Sequence, residues 1–115
     1  MNRYQPGGPS RAELDAMPGA VVVDFGTNWC GWCRAAEPVV AEALADRSAG
    51  AVPVTHVRIE DGRGLPTGRS FAVKLWPTLV FLRDGVEVAR VVRPSDAATV
   101  RRALAALQAP PTTGG

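Results

Sequence analysis

Residues 21–33 read VVVDFGTNWCGWC, and this stretch decides the fold. Val21–Phe25 is apolar except for Asp24, a pattern typical of a central strand that is covered on both faces. Cys30 and Cys33 follow, and apolar residues then recur at helical spacing. A CxxC pair between a buried strand and a helix favours dithiol–disulfide chemistry, whereas an isolated pair also occurs as half of a zinc site.

The chain has 115 residues, 46% of them hydrophobic, and a formal net charge of +2. This length suits one domain that buries its core without disulfide staples. The charge is too small to indicate a nucleic-acid partner. We find no signal-peptide pattern and no apolar run of about 20 residues that could cross a bilayer. We therefore expect a cytoplasmic monomer that associates with neither membranes nor nucleic acid, in which two cysteines form a transient catalytic disulfide.

Turn and capping signals divide the chain into helices and strands. Ser10 and Glu13 have capping-box spacing, and Asp84-Gly85 between apolar runs predicts an antiparallel hairpin. We expect a flexible lead over residues 1–9, one domain over residues 10–108 and a flexible tail over residues 109–115. Whether the lead adds an edge strand stays open. The predicted elements are a helix from Ser10 to Pro18-Gly19, a strand over 21–25, a helix from Cys30 to about 48–50, a strand over 52–59, a short helix over 69–73, strands over 78–82 and 86–92, and a helix over 97–107 capped by Ser95.

The spacing of the two cysteines suits a reversible disulfide. Residues three apart at a helix start can bring their α carbons within the roughly 4.4–6.8 Å that a disulfide requires. Unpaired N–H groups and the helix dipole stabilise a thiolate at Cys30, so we predict that it is the attacking nucleophile. Cys33 lies one turn deeper on the apolar stripe. We predict that it stays a thiol until it resolves the mixed disulfide.

Five short motifs, in this order, resemble the thioredoxin family over about residues 20–107. The resemblance implies an α/β thioredoxin fold, with a central mixed sheet of four or five strands flanked by helices and a C-terminal antiparallel hairpin. It also implies a thiol–disulfide oxidoreductase that acts as a protein-disulfide reductase and needs no cofactor beyond the Cys30–Cys33 pair. The motifs are Val23-Asp24-Phe25, Trp29-Cys30-Gly31-x-Cys33, Pro38, Trp76-Pro77-Thr78 and Asp84-Gly85.

The resemblance also implies roles for two polar residues. Asp24 matches a buried aspartate that assists proton transfer with the second cysteine through water; the alternative is an aspartate that only hydrogen-bonds backbone groups. His56 falls near a family lysine that faces this aspartate. It is therefore a candidate modulator of Asp24 that would respond to pH near neutrality, and a structural, partly exposed histidine is the alternative.

A substrate-binding surface is predicted around the cysteines. In the family the peptide bond before the residue matching Pro77 is cis, and that proline packs beside the cysteines. The residue matching Trp76 offers backbone groups to an extended substrate. With Trp29, Gly31 and Trp32, these residues would form the substrate-binding surface, and its three tryptophans an aromatic docking face for unfolded or extended protein segments. The alternative is that the tryptophans are only packing residues.

Three positions depart from the family pattern. Trp32 replaces the usual proline between the cysteines, Gly26 replaces an aromatic residue, and Arg93-Pro94 stands where a small glycine is expected. Changes between the cysteines alter the redox potential, so the direction of electron flow stays open. The expected cytoplasmic location favours a reductase; a thioredoxin reductase is a candidate partner, and whether it recycles this protein stays open.

Two alternatives belong to other functional classes. A zinc module would use Cys30 and Cys33 with His56 or Asp24, and the lack of a second CxxC would require a dimer. A redox-inert adaptor would keep the fold only to bind peptides. The presence of both cysteines and of Asp24 counts against the adaptor, because peptide binding does not require them.

Overall fold

The computed structural model describes residues 3–45 and 51–108. The predicted end of the second helix at about 48–50 and the predicted tail over 109–115 lie outside the described residues. No helix in the described ranges has the length and apolarity needed to span a bilayer. The elements are α1 Arg11–Ala16, β1 Ala20–Gly26, α2 Gly31–Ala45, β2 Val54–Glu60, α3 Pro66–Ser70, β3 Thr78–Arg83, β4 Val86–Val92 and α4 Ala97–Gln108.

A mixed sheet of four strands has the order β2-β1-β3-β4. β1 pairs in parallel with β2 and antiparallel with β3, and β3 pairs antiparallel with β4. All seven residues of β1 are buried, as its nearly continuous apolar sequence predicts for a central strand. The parallel pair requires a crossover connection, which α2 provides. The predicted mixed sheet and C-terminal hairpin are confirmed.

The alternation of side chains along β1 divides the core into two layers. Ala20 and Val22 pack with α2 and α4, whereas the residues on the other face, Val21, Val23 and Phe25, pack with α1 and with Phe71, which directly follows α3. Asp24 and Gly26 continue the row of Ala20 and Val22, so they point to the side of the sheet that α2 covers. A charged residue in this row therefore lies beneath the start of α2.

The helix starts agree with the predicted caps in one of two cases. At α1, the Ser10 side chain accepts from the Glu13 N–H, and the Glu13 carboxylate accepts from the Ser10 N–H. At α4, Asp96 rather than Ser95 is the cap, because its Oδ1 accepts at 2.8 Å from the N–H of Thr99. The short helix α3 begins three residues earlier than predicted, since Pro66 is preorganised for a first helical turn.

The segment before α1 packs against the sheet, which we did not expect of residues with the composition of a flexible lead. Tyr4 is 3% exposed. Gln5 forms an isolated parallel bridge with Ile59 at the free edge of β2. Its N–H donates to the Arg58 carbonyl at 3.1 Å, and its carbonyl accepts from the Glu60 N–H at 3.0 Å. The segment thus extends the sheet by a single bridge rather than by a strand.

The turn between β3 and β4 docks onto the end of α1. Asp84 and Gly85 both take positive φ, as a type I′ turn requires. A Cβ at Gly85 would collide with the Asp15 carbonyl group, whose carbon would lie 2.8 Å away. Gly19, which also has positive φ and exchanges hydrogen bonds with Asp84, has open space where its Cβ would be.

We predict that Gly85→Ala destabilises the domain more than Gly19→Ala. The control substitution carries only the cost of a positive φ, about 1–2 kcal/mol, whereas Gly85→Ala must also displace backbone. Urea unfolding of both variants measures the difference in free energy. Equal losses of stability would show that the turn does not need the close contact with α1.

Candidate active site

The two cysteines lie at the start of α2, at the carboxyl end of β1. Cys30 immediately precedes the helix, and the N–H of Cys33 donates to Cys30 Sγ at 3.2 Å. Both residues are free thiols. Cys30 is 8% exposed and Cys33 is 2% exposed, so Cys30 is the more accessible residue of the two.

The environment of Cys33 opposes its ionisation. Burial raises the pKa of the Cys33 thiol to about 12, and the hydrogen bond with Cys30 acts in the same direction. The Thr27 backbone and the nearby Tyr4 hydroxyl oppose this rise in pKa without cancelling it. Cys33 therefore holds its proton at neutral pH.

Asp24 lies on the same side of β1, and its carboxylate is buried with three polar neighbours. The Tyr4 hydroxyl donates to Asp24 Oδ1 at 2.8 Å. Arg58 Nε donates to Asp24 Oδ2 at 3.3 Å, and His56 Nε2 lies 3.7 Å from that oxygen. Because Asp24 and Arg58 are directly paired in the register of β1 and β2, the guanidinium is held beside the carboxylate.

The structure brings His56 near Asp24 but not within hydrogen-bond distance. Its Nε2 is buried and has no hydrogen-bond partner among the described residues. Arg58, two residues farther along the same face of β2, is the closer cationic partner of Asp24. Burial works against the charge of Arg58, but interactions with Tyr4, Asp24 and Glu37 outweigh it and raise the pKa of the guanidinium.

Tyr4 is held in place from several sides. Its N–H donates to Asn28 Oδ1 at 2.9 Å, and Asn28 Nδ2 donates to the Tyr4 carbonyl at 3.2 Å. The guanidinium of Arg58 lies 3.9 Å from the centre of its ring. Burial, followed by the charge of Asp24, raises the pKa of the phenol, so the hydroxyl remains protonated.

Gly26 gives Tyr4 and Cys33 the room to approach the same point. An alanine Cβ at this position would lie 2.6 Å from Cys33 Sγ and 2.8 Å from the Tyr4 hydroxyl oxygen. Such contacts are too short for any side chain. Where the family pattern has an aromatic residue, this chain has Gly26, and the ring of Tyr4 from the N-terminal segment lies in the space that a side chain at position 26 would need.

The other side of the cysteines is an aromatic surface. The Trp76–Pro77 peptide bond is cis, and Trp76 packs against the cluster of Tyr4, Cys30 and Cys33. Trp29 meets Trp76 edge to face, with ring centres 5.7 Å apart. Trp29 is 70% exposed and Trp32 is 58% exposed, which is unusual for residues with so much apolar surface.

Arg93 lies across this surface. Its Nε donates to the Trp76 carbonyl at 2.8 Å, and its guanidinium lies 4.6 Å from the centre of the Trp32 ring. Its N–H donates to the Pro77 carbonyl, and its φ is +48°. The arginine that replaces the expected glycine therefore covers the carbonyl group just before the cis proline.

Three of these residues were missed by the sequence analysis as members of the site. Tyr4 is far from the CxxC motif along the chain, and no local pattern indicates its position. Arg58 could have been found, because it alternates with His56 on one face of a predicted strand. Arg93 was noted only as a departure from the family pattern, not as a member of the site. Within residues 3–45 and 51–108, no group of three His, Cys, Asp or Glu side chains could hold a metal ion.

Comparison with known proteins agrees with this geometry. The family model for thioredoxin matches residues 11–106. A thioredoxin of Mycobacterium bovis is 34% identical over 84 residues, which cover 73% of this chain and 70% of the relative. A thioredoxin of Chlamydia pneumoniae is 37% identical over 78 residues, which cover 68% of this chain and 72% of the relative.

Solved structures that resemble this chain are also thioredoxins. Reduced thioredoxin 2 from Pseudomonas aeruginosa PAO1 is 52% identical, with 92% of this chain and 94% of that chain covered and a TM-score of 0.79. Thioredoxin NaTrxh from Nicotiana alata is 26% identical, with 86% and 82% covered and a TM-score of 0.67. Proteins of this kind act through a redox-active cysteine pair. The chain therefore belongs to the thioredoxin family and is a thiol–disulfide oxidoreductase.

Proposed function

We propose that the Cys30–Cys33 pair reduces disulfide bonds in other proteins, with Cys30 as the attacking thiol and Cys33 as the resolving thiol. The difference between the two sulfurs carries this proposal. Cys30 lies at the N-terminus of α2, where its Sγ accepts a hydrogen bond from the Cys33 N–H at 3.2 Å, and it is the more exposed of the two cysteines. The Cys33 sulfur is buried and stays protonated, because its pKa is raised to about 12.

The reaction takes place in two exchanges. First, the Cys30 thiolate attacks the substrate disulfide; a Cys30–substrate disulfide forms, and one substrate sulfur leaves with the electron pair of the broken bond. Second, Cys33 gives up its proton and attacks Cys30 Sγ, which releases the other substrate sulfur as a thiolate. The substrate gains two electrons and, from Cys33 and solvent, two protons, while Cys30 and Cys33 become a disulfide.

Asp24 is the group that we propose to receive the proton that Cys33 loses. Its carboxylate is buried on the side of β1 that α2 covers, and Asp24 is the only acidic residue of β1. His56 is proposed only as a modulator, since Arg58 lies nearer to Asp24.

The aromatic surface is proposed to bind the substrate chain. Gly31 leaves space beside the cysteines, since a Cβ there would meet nothing within 4 Å. Trp29, Trp32 and Trp76 offer apolar area, and Trp76 packs against the cluster that contains Cys30. Pro77, joined to Trp76 by the cis peptide bond, is proposed to belong to the same surface. Exposed aromatic residues of this kind commonly carry most of the binding energy at an interface.

The partners and location follow from the family. We propose disulfide-containing proteins as substrates and a thioredoxin reductase as the source of electrons, in the cytoplasm and with a monomeric protein. Neither nucleic acid nor a membrane has a part in this function. The redox-inert adaptor and the zinc module are less well supported, because the relatives in the comparisons are redox proteins.

We predict that Cys33→Ser accumulates a mixed disulfide at Cys30 when mixed at pH 7 with a peptide that contains a disulfide. Without the resolving thiol, the first exchange has no second step. Cys30→Ser should form no adduct, because burial keeps the remaining Cys33 thiol protonated. Intact-protein mass spectrometry measures both. Adducts on Cys30→Ser at the rate of Cys33→Ser would contradict the assigned roles.

We predict that Arg93→Gly lowers KM for an extended disulfide peptide. The substitution frees the Trp76 carbonyl from a hydrogen bond that a substrate backbone must otherwise replace, and it relieves the positive φ at position 93. The loss of one such bond corresponds to a change of about two- to tenfold. The rate with a small aromatic disulfide, which needs no backbone contact, serves as the control. An unchanged KM for the peptide would show that Arg93 does not cover a binding group.

A further inference from the structure

Tyr4 places a buried hydroxyl group between the resolving cysteine and the buried carboxylate. We propose that this hydroxyl relays the proton of Cys33 to Asp24 when Cys33 attacks the mixed disulfide. The inference rests on the roles proposed above for the two cysteines. It goes beyond them by assigning a positioning and proton-transfer function to a residue outside the family motifs.

Three observations place the hydroxyl at this junction. It donates to Asp24 Oδ1 at 2.8 Å, which is the usual length of a hydrogen bond between two oxygens. It also shares with Cys33 Sγ the space above Gly26, where an added Cβ would lie 2.8 Å from the hydroxyl oxygen and 2.6 Å from the sulfur. Tyr4, Cys30 and Cys33 form one buried cluster.

The other neighbours of Asp24 are less suited to pass on a proton. Arg58 donates to Oδ2, the second carboxylate oxygen, and a guanidinium cannot accept a proton. His56 Nε2 lies 3.7 Å from the same oxygen, on the β2 side of Asp24. Oδ1 is therefore the carboxylate oxygen that faces Cys33 through Tyr4.

The relay moves two protons and leaves the phenol unchanged. As Cys33 Sγ bonds to Cys30 Sγ, the bond between Cys30 and the substrate sulfur breaks, and that sulfur leaves with the electron pair. The Cys33 proton passes to the Tyr4 oxygen, and the Tyr4 proton passes to Asp24 Oδ1. Asp24 later returns this proton to solvent or to the departing thiolate.

The electrostatics of Tyr4 fit a concerted transfer. Burial and the nearby Asp24 charge raise the pKa of the phenol, so a phenolate intermediate is disfavoured. Burial raises the pKa of Cys33, and the Tyr4 hydroxyl opposes this rise, which is consistent with a polar group close to the sulfur.

Water offers a competing route. A cleft of about 280 Å³ opens beside Cys33 and Tyr4 and is also lined by Arg34, Glu37 and Arg58. Water in this cleft could take the Cys33 proton without Tyr4. The experiment must therefore distinguish a hydroxyl relay from transfer to water.

Stopped-flow reaction with dithiobis(nitrobenzoate) separates the two exchanges, because the attack by Cys30 and the attack by Cys33 each release one coloured thiolate. We expect Tyr4→Phe, which keeps the ring, to leave the first release within about twofold of wild type. The second release should slow by at least about tenfold, since a positioned proton-transfer group contributes about a hundredfold or more. Asp24→Asn should slow the same phase, and the double variant should be no slower than the slower single variant.

Gln5→Ala is the matched control in the same segment, because its side chain is exposed and its backbone makes the bridge to β2. It should leave both phases unchanged. Gly26→Ala retains the hydroxyl but must push it and the sulfur apart, because both lie within 2.8 Å of the new Cβ, and it should slow the second phase while leaving the first within about twofold. This variant provides the test if circular dichroism shows that Tyr4→Phe does not fold.

An unchanged second phase in Tyr4→Phe would assign the proton to water and overturn the relay. Equal slowing of both phases would make Tyr4 merely structural, and additive effects in the double variant would mean that Tyr4 and Asp24 act independently; either result overturns it. A normal first phase in Cys30→Ser would instead contradict the roles of the cysteines themselves.

Discussion

The buried carboxylate of Asp24 is the constraint on which the rest of the site depends. A charge in a central strand is costly unless hydrogen bonds and an opposite charge compensate it. Tyr4 and Arg58 provide this compensation on the two carboxylate oxygens. Their positions in turn require the register of β1 with β2, the docking of the N-terminal segment onto the edge of β2, and a glycine at position 26.

This arrangement also gives the two cysteines different properties. α2 begins directly above the polar end of β1, so Cys30 lies at a helix N-terminus, whereas Cys33 faces the buried cluster. Since burial raises the pKa of Cys33, the dithiol form does not gain the stability that an ionised pair would have. A reduced form that is not strongly stabilised gives up its electrons readily, as a reductase requires.

The sequence predicted those parts of the structure that depend on local patterns. The apolar run of β1, the capping box at Ser10 and the Asp84-Gly85 turn each determine their element from a few neighbouring residues. The site was predictable where it coincides with the CxxC motif. Tyr4 and Arg93 reach it only through tertiary packing, and the pairing of Arg58 with Asp24 depends on a strand register that the sequence does not specify. The cap of α4 was assigned to the wrong residue, because Ser95 and the adjacent Asp96 are both residue types that favour the N-cap position.

The equilibrium redox potential of the Cys30–Cys33 pair, measured against glutathione, tests most directly whether this chain is a reductase. A reductase of this family should have a potential more negative than about −230 mV, toward the value of about −270 mV typical of thioredoxin. A potential above about −180 mV, the value of protein disulfide isomerase, would contradict the account. The pair would then accept electrons from its protein substrates rather than donate them.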